Sequence, residues 1–319
     1  MPSRDKRESR VRTPRDRKPG DHSEERDRGR SRSGGQSGPS RFRRPPQEAA
    51  PSPMPRAVRQ TASYLMRRFR EIGIEPQTRY GQNFLIDLNL IDVLVQAARI
   101  QPTDIVLEVG TGTGSLTAIL ASQAAAVITV EIDQHLYALA SETLIDLPNV
   151  TMVHFDALKN KNRLHPELLS TLDDVRARHP GSDLKLVANL PYNIATPLMS
   201  NLLNLPVPPA SMTVTIQREL AERITAAPRT KDYSALSVWV QSQCDVEICR
   251  IMAPTVFWPR PKVESAILNV RLNAEKRARI PDRAYFQSFV RAMFFHRRKF
   301  LRSELLSCYK GRQIGRAHV

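Results

Sequence analysis

From about residue 79 the apolar positions change period again and again along the chain. Residues 88–99 carry Leu88, Ile91, Leu94, Val95 and Ala98 on one face behind Asp87, which predicts a capped amphipathic helix. IVLEV (105–109) is a short apolar run and reads as a buried strand; a glycine loop and a helix over about 115–123 follow. AVITVEI (126–132) predicts the next strand and 133–146 the next helix. VTMVHF (150–155), LKLVANL (184–190) and MTVTIQ (212–217) predict further strands, each followed by helical or loop sequence. Alternating strands and helices of this length specify an α/β fold with a parallel, doubly wound sheet. After residue 240 the rhythm changes. CDVEICRIM and ESAILNVRL read as two strands joined by a proline-rich loop, an antiparallel edge. Residues 282–310 read as two basic helices of a separate unit, and 61–72 as a helix with Tyr64, Leu65, Phe69 and Ile72 at helical spacing.

Composition alters this picture at the two ends. The 319 residues carry a formal net charge of +16. Residues 1–60 contribute +9 and residues 276–319 contribute +10, so the segment between them is close to neutral at −3. Basic ends around a neutral core point to a polyanionic partner, nucleic acid before membrane. Residues 1–60 hold nine prolines and almost no aromatic or β-branched residues, and are expected to be a disordered basic extension. Its two readings, a solubilising tail or an RNA-attracting arm, stay open. No apolar run approaches the length of a membrane span, and the N-terminus lacks the apolar core of a signal peptide. Cys244, Cys249 and Cys308 fit neither a disulfide framework nor zinc-finger spacing, so a reduced cytoplasmic protein without a metal is expected.

EVGTGTG (108–114) follows a predicted strand and opens a helix. Glycines there let a ligand approach the backbone closely. Gly110, Gly112 and Gly114 fall short of the full dinucleotide fingerprint. The next strand ends in VEID, with Glu131 placed to accept hydrogen bonds from both hydroxyls of a ribose. Asp156, after the third strand, suits an adenine amino group. No lysine of the triphosphate-binding type follows the glycines, which leaves a nicotinamide dinucleotide or S-adenosylmethionine.

The segment NLPYN (189–193) closes the fourth predicted strand, at the edge where open parallel sheets hold ligands. These residues suit methyl transfer to the exocyclic amine of adenine. That nitrogen is a poor nucleophile because its lone pair is delocalised into the ring. Two acceptors on its hydrogens, the Asn189 side-chain oxygen and the Leu190 carbonyl, would draw it toward a tetrahedral shape. Pro191 fixes the turn and has no competing N–H, and Tyr192 offers a face for the base.

YGQNFL (80–85), LEVGTG (107–112), VEID (130–133), Asp156, NLPYN (189–193), FWPRPKVES (257–265) and HRRKFLRSEL (296–305) occur in one order. Together they resemble the small-subunit ribosomal RNA adenine N6-dimethyltransferase family, over roughly residues 60–310. The resemblance implies a Rossmann-like, S-adenosylmethionine-dependent methyltransferase domain over 61–275. It also implies a small helical RNA-binding domain, here partial, over 276–310. The implied reaction is dimethylation of two adjacent adenosines near the 3′ end of 16S rRNA, in an immature 30S subunit, by a monomer. It places donor-binding residues at Asn83, Leu85, Gly110, Glu131, Asp156 and Asn189, with Gln82 and Gly112 in the same motifs. It places Phe257 against the target adenine, opposite Tyr192, and the reacting site at Asn189, Leu190, Pro191, Tyr192 and Phe257. Arg297, Arg298, Lys299 and Arg302 would meet phosphate, with Arg260 and Lys262 extending the track toward the active site.

Two positions depart from that family's pattern: Arg229 stands where it usually has Gly, and Phe300 where it commonly has Thr. Residues 311–319 are expected to be a tail without fold meaning, ending an incomplete helical domain. The alternatives are a 23S rRNA adenine methylase of the macrolide-resistance type and a non-catalytic ribosome-assembly factor. NLPYN, the F-x-P-x-P-x-V-x-S loop and the R-R-K-x-L-R segment favour the small-subunit enzyme over the 23S methylase, and intact Asn189, Tyr192, Glu131 and Gly110 argue against a non-catalytic factor.

Overall fold

The computed structural model describes residues 62–71, 73, 75–76, 81–295 and 300–308, all within one compact unit. The basic extension, Arg297, Arg298, Lys299 and the tail after residue 310 lie outside the described residues.

The chain begins with α1 (Ala62–Glu71), the short β1 (Phe84–Leu85) and α2 (Leu88–Ala98). Three strand–helix units follow: β2 (Ile105–Val109) with α3 (Ser115–Ala121), β3 (Ala126–Glu131) with α4 (Gln134–Leu144), and β4 (Val150–His154) with α5 (Pro166–Arg178). A small hairpin, β5 (Leu158–Asn160) and β6 (Arg163–Leu164), interrupts the third unit. Then come β7 (Leu184–Asn189), α6 (Ala195–Asn204), β8 (Ser211–Gln217), α7 (Arg218–Thr225) and α8 (Ala235–Gln241). The last part comprises β9 (Cys244–Met252), β10 (Phe257–Trp258), β11 (Ser265–Leu272), α9 (Ala274–Ala278), α10 (Arg283–Phe295) and α11 (Leu301–Cys308). The helices expected over 88–99 and in the basic C-terminal segment are therefore present. Asp87 caps α2 as its position predicts, accepting from the backbone N–H of Asn89 and Leu90.

Seven strands form one sheet in the order β4-β3-β2-β7-β8-β11-β9. The first five run parallel, and β11 runs antiparallel to both β8 and β9. That is the expected doubly wound sheet with an antiparallel edge. From β2 the chain builds outward to β3 and β4, then returns to add β7 and β8 on the other side. The reversal lies between β2 and β7, and open α/β sheets leave a crevice at such a switch point, outside the carboxyl ends of the strands. Val109 and Asn189 end these two strands, so the glycine loop and NLPYN emerge side by side.

Alternation along the strands supplies the core on both faces. Ile105, Leu107 and Val109 of β2 join Ile128, Val130, Leu186 and Ala188 in one apolar layer. Val106, Val127 and Val187 point the other way, onto α2 and α3. One charged side chain breaks the second layer. Glu108 lies fully buried there and accepts hydrogen bonds from the hydroxyls of Thr117 and Thr129 (2.8 Å for the latter). The Thr129 hydroxyl also meets that of Thr111 in the glycine loop, at 2.7 Å. Burial pushes the Glu108 carboxyl up to about 8, against the opposing pull of the two hydroxyls.

Candidate active site

The crevice at the switch point holds a cavity of about 300 Å³, within the size range of small-molecule sites. Gln82, Asn83, Gly110, Gly112, Glu131, Asp156, Asn189 and Pro191 line it, drawn from segments that span more than a hundred residues of sequence.

The glycine loop follows β2. Gly110 and Gly112 both take left-handed backbone, with φ of +89° and +58°. A Cβ at Gly110 would meet the Pro191 ring at 3.4 Å, and one at Gly112 would meet the Phe84 ring at 3.3 Å. The loop thus runs tightly between the reacting segment and the β1 region. The Gly112 N–H donates to Glu131 Oε2 at 2.9 Å, and the N–H groups of Ile132 and Asp133 donate to Oε1 at 3.0 Å each. Those three bonds fix the carboxylate of a buried glutamate at the end of β3. Burial raises its pKa, while the N–H groups of Asp133, Gly112 and Ile132 pull it down. Asp133 caps α4 with Oδ1 and accepts from Gln82 Nε2 on Oδ2 at 3.2 Å, so the 81–85 segment is tied to the same corner. Asp156 lies exposed on the opposite rim and accepts from the Leu158 N–H at 2.9 Å.

Asn189 is positioned by its own amide. Its Nδ2 donates to the Asn83 carbonyl at 2.7 Å. A carbonyl only accepts, so this bond settles which end of the side-chain amide is which. Oδ1 is then left as an acceptor with no donor among the described residues. Next to it, Leu190 buries its side chain in the core, and its N–H donates to the Thr215 carbonyl at 3.1 Å. Its own carbonyl therefore belongs to a rigid strand end. Gly81 packs against this turn, where a Cβ would meet the Tyr192 backbone nitrogen and Asn193 Oδ1 at 3.3 Å each.

Other expected residues are placed differently. Tyr192 stands beside the cavity, not in its lining; its hydroxyl pairs with Ser265 Oγ at 2.6 Å, and burial raises its pKa against that bond. Leu85 faces the smaller hollow behind the glycine loop, shared with Leu88, Ile91 and Leu94. Phe257, expected to cover the target base, is only 3% exposed, is paired with Leu85 in register, and is packed with Ile91, Leu94, Ile267 and Met252. Its neighbour Trp258 instead meets an aromatic cluster, with ring centres 5.3 Å from Phe69 and 6.2 Å from Phe84. The alternation of β10 turns Phe257 inward, and the apolar demand of the core exceeds that of the site. Arg260, Lys262 and Arg302 are exposed cations, as phosphate contacts require.

Ile132 and Phe155 are among the lining residues that the sequence reading did not name. Ile132, directly after Glu131, is 39% exposed, and Phe155, directly before Asp156, stacks on His165 at 4.6 Å between ring centres. Each extends a strand-end pattern in which an acidic residue sits beside an apolar one, and that pairing was the available signal. The combination suits a nucleoside: apolar walls for the base faces, carboxylates for the ribose and the amino group. The glycine cradle, the fixed Glu131 and the size of the cavity fit S-adenosylmethionine as the bound group. Among the described residues no His, Cys, Asp and Glu cluster could hold a metal ion, and no helix is long and apolar enough to cross a membrane.

Comparison with known proteins gives the same picture. The profile for "Ribosomal RNA adenine dimethylase" matches residues 74–318. The small-subunit rRNA methyltransferase A of Ligilactobacillus salivarius is 41% identical over 239 residues, covering 74% of this chain and 77% of its own. The corresponding protein of Listeria innocua is 39% identical over 227 residues, covering 71% and 75%. Among solved structures, a dimethyladenosine transferase from Plasmodium falciparum aligns with a TM-score of 0.58 at 27% identity, over 69% of this chain and 73% of that one. The 23S rRNA methyltransferase ErmE aligns with a TM-score of 0.53 at 28% identity, over 70% and 84%.

Proposed function

The chain belongs to the ribosomal RNA adenine dimethylase family, and from that premise we propose how its pocket performs the reaction. The protein transfers methyl groups from S-adenosylmethionine to N6 of adenine in small-subunit ribosomal RNA. The finer reading is dimethylation of two adjacent adenosines near the 3′ end of 16S rRNA, by a cytoplasmic monomer acting on an immature 30S particle.

When bound, S-adenosylmethionine supplies an already electrophilic methyl group on its sulfonium. Glu131 accepts from the ribose hydroxyls, Asp156 from the adenine amino group, and Gly110, Gly112, Gln82 and Asn83 shape the rest of the donor's enclosure, with Leu85 backing the glycine loop from the hollow behind it. Asn189 Oδ1 and the Leu190 carbonyl accept the two N6 hydrogens of the target, which localises its lone pair and aims it across the cavity. Pro191 sets the turn and lines the cavity together with Gly110, so donor and target meet over a shared wall. Tyr192, held by Ser265, stacks on the everted base. After transfer the surplus N6 proton leaves to solvent. Residues 61–275 carry this chemistry, and residues 276–310, with Arg260, Lys262 and Arg302, carry phosphate contacts, joined in the same reading by Arg297, Arg298 and Lys299.

The observation that carries the proposal is the Asn189 amide, locked by Asn83 with its oxygen left over beside the glycine loop. The test is transfer of a tritiated methyl group to hypomethylated 30S subunits, followed by nucleoside mapping. N6,N6-dimethyladenosine at two neighbouring positions of 16S rRNA is expected. Label confined to isolated 23S rRNA would favour the macrolide-resistance reading. Donor binding without transfer to either would favour an assembly factor.

A further inference from the structure

A second groove, of about 530 Å³, opens beside the reacting site and shares Asn193 with it. It runs from the β5–β6 turn along α6 to α8 and α10. Its chemistry differs from that of the donor cavity. Five carboxamide side chains line it: Asn162, Asn193, Asn201, Asn204 and Gln287. Lys161 and Arg291 are exposed at the groove, and no carboxylate lines it among the described residues. Neither cation has an ion-pair partner among those residues.

Three of the five carboxamides are held in place. Asn204 Nδ2 donates to Gln287 Oε1 at 3.0 Å, Gln287 Nε2 donates to Ser200 Oγ at 3.0 Å, and Asn201 Nδ2 donates to the Lys161 carbonyl at 3.3 Å. This chain of bonds joins α6 to α10 and leaves Asn204 Oδ1 and the second Gln287 Nε2 hydrogen for a ligand. Trp239 also lines the groove, almost fully buried, and its indole N–H has no acceptor among the described residues.

We propose that this groove is a subsite for the ribonucleotide next to the target adenosine. Lys161 and Arg291 meet its phosphates, and Asn204 and Gln287 bond the edge of its base. The inference rests on the functional reading above and extends it to substrate recognition. Three features select this occupant. Asn193 lines both cavities, so the groove adjoins the point where an RNA strand would deliver a base to Asn189. Carboxamides, which both donate and accept, match the edges of unpaired bases. Two cations with no opposing carboxylate on the groove wall suit a phosphate backbone.

The test uses the full chain and a fluorescein-labelled single-stranded RNA with a central adenosine. Anisotropy titrations at several salt concentrations give affinity and salt slope, and the same RNA with an abasic site beside the adenosine reports on base recognition. Lys161→Ala with Arg291→Ala is expected to weaken binding about tenfold, and to flatten the salt slope by about 1.4, or 0.7 for each phosphate no longer neutralised. The abasic site is expected to cost the parent protein about tenfold, and an Asn204→Ala, Gln287→Ala variant almost nothing further. Parent-like affinity and slope in the charge variant, or an undiminished abasic penalty in the amide variant, would overturn the subsite. Donor affinity, expected to be unchanged in both variants, together with an unfolding temperature unchanged in the charge variant and only slightly lowered in the amide variant, excludes misfolding as the cause. Loss of RNA binding in the variants, with no methyl transfer by the parent to 30S subunits, would instead refute the functional reading and leave the groove an RNA site.

Discussion

The Asn189 side-chain amide donates to the Asn83 backbone carbonyl across 106 residues of sequence, at 2.7 Å. One bond thereby links the segment that encloses the donor to the segment that meets the target. Replacing Asn189 with Ala removes both the link and the free acceptor. Methyl transfer is expected to fall by about 10²–10³-fold, the scale of losing one oriented polar group in a reacting site. The partly exposed position predicts a much smaller effect on unfolding temperature. Near-normal turnover in a single-turnover assay would remove Asn189 from the N6 contact.

Glu108 gives a signed pH effect. Its carboxyl ionises near 4.5 when exposed but only at about 8 in the fold. Below pH 4.5 both states are protonated and its contribution is fully present. Between pH 4.5 and 8 the unfolded chain ionises first, so stability declines as pH rises through that window. Glu108→Gln keeps an oxygen for Thr117 and Thr129 and abolishes the ionisation. From pH 5 to pH 8 the parent should lose roughly 3 kcal/mol more stability than the variant, as read from urea midpoints. Glu131, also shifted upward, is common to both proteins and cancels. Parallel pH profiles would contradict the assignment.

Phe257 separates a packing role from a stacking role. Its burial predicts that Phe257→Ala costs about 3–5 kcal/mol of stability. Phe257→Leu, which keeps an apolar side chain in the same space, should cost only about 1 kcal/mol and leave kcat/KM within about threefold of the parent. If the Leu variant unfolded at the parent temperature yet lost activity a hundredfold, the ring would have to reach the base.

Arg229 has a φ of +72°, in the left-handed region, within the loop before α8. This is the position where the family pattern has glycine, and the backbone explains why: a Cβ is strained there. Arg229→Gly should stabilise the protein by about 0.5–1 kcal/mol, the relief of strain exceeding the added chain entropy. Chemical denaturation reads this directly. A destabilised variant would show that the guanidinium supports the loop.

The succession of strands and helices along the chain, and the strand-end loops, could be read because period, caps and glycines are local signals. Asp87 and 105–109 are examples. The proposed donor contacts Glu131 and Asp156 were legible for the same reason: Glu131 ends β3 and Asp156 follows β4 by two residues. The packing of Phe257 was not, since its side depends on the register of a two-residue strand against Leu85. The groove between α6 and α10 was equally hidden. Asn204 and Gln287 look like ordinary surface amides until the fold sets them face to face.

The 3.4 Å that would separate a Cβ at Gly110 from the Pro191 ring carries a constraint on how such an enzyme diversifies. No spare layer separates the two loops, so a side chain added to one pushes directly on the other. Any lineage that enlarges the acceptor end to admit a different base must re-fit the donor end in the same step. Changes of specificity are therefore cheaper farther out, along the path the RNA strand follows, where side chains can be exchanged without disturbing the chemistry.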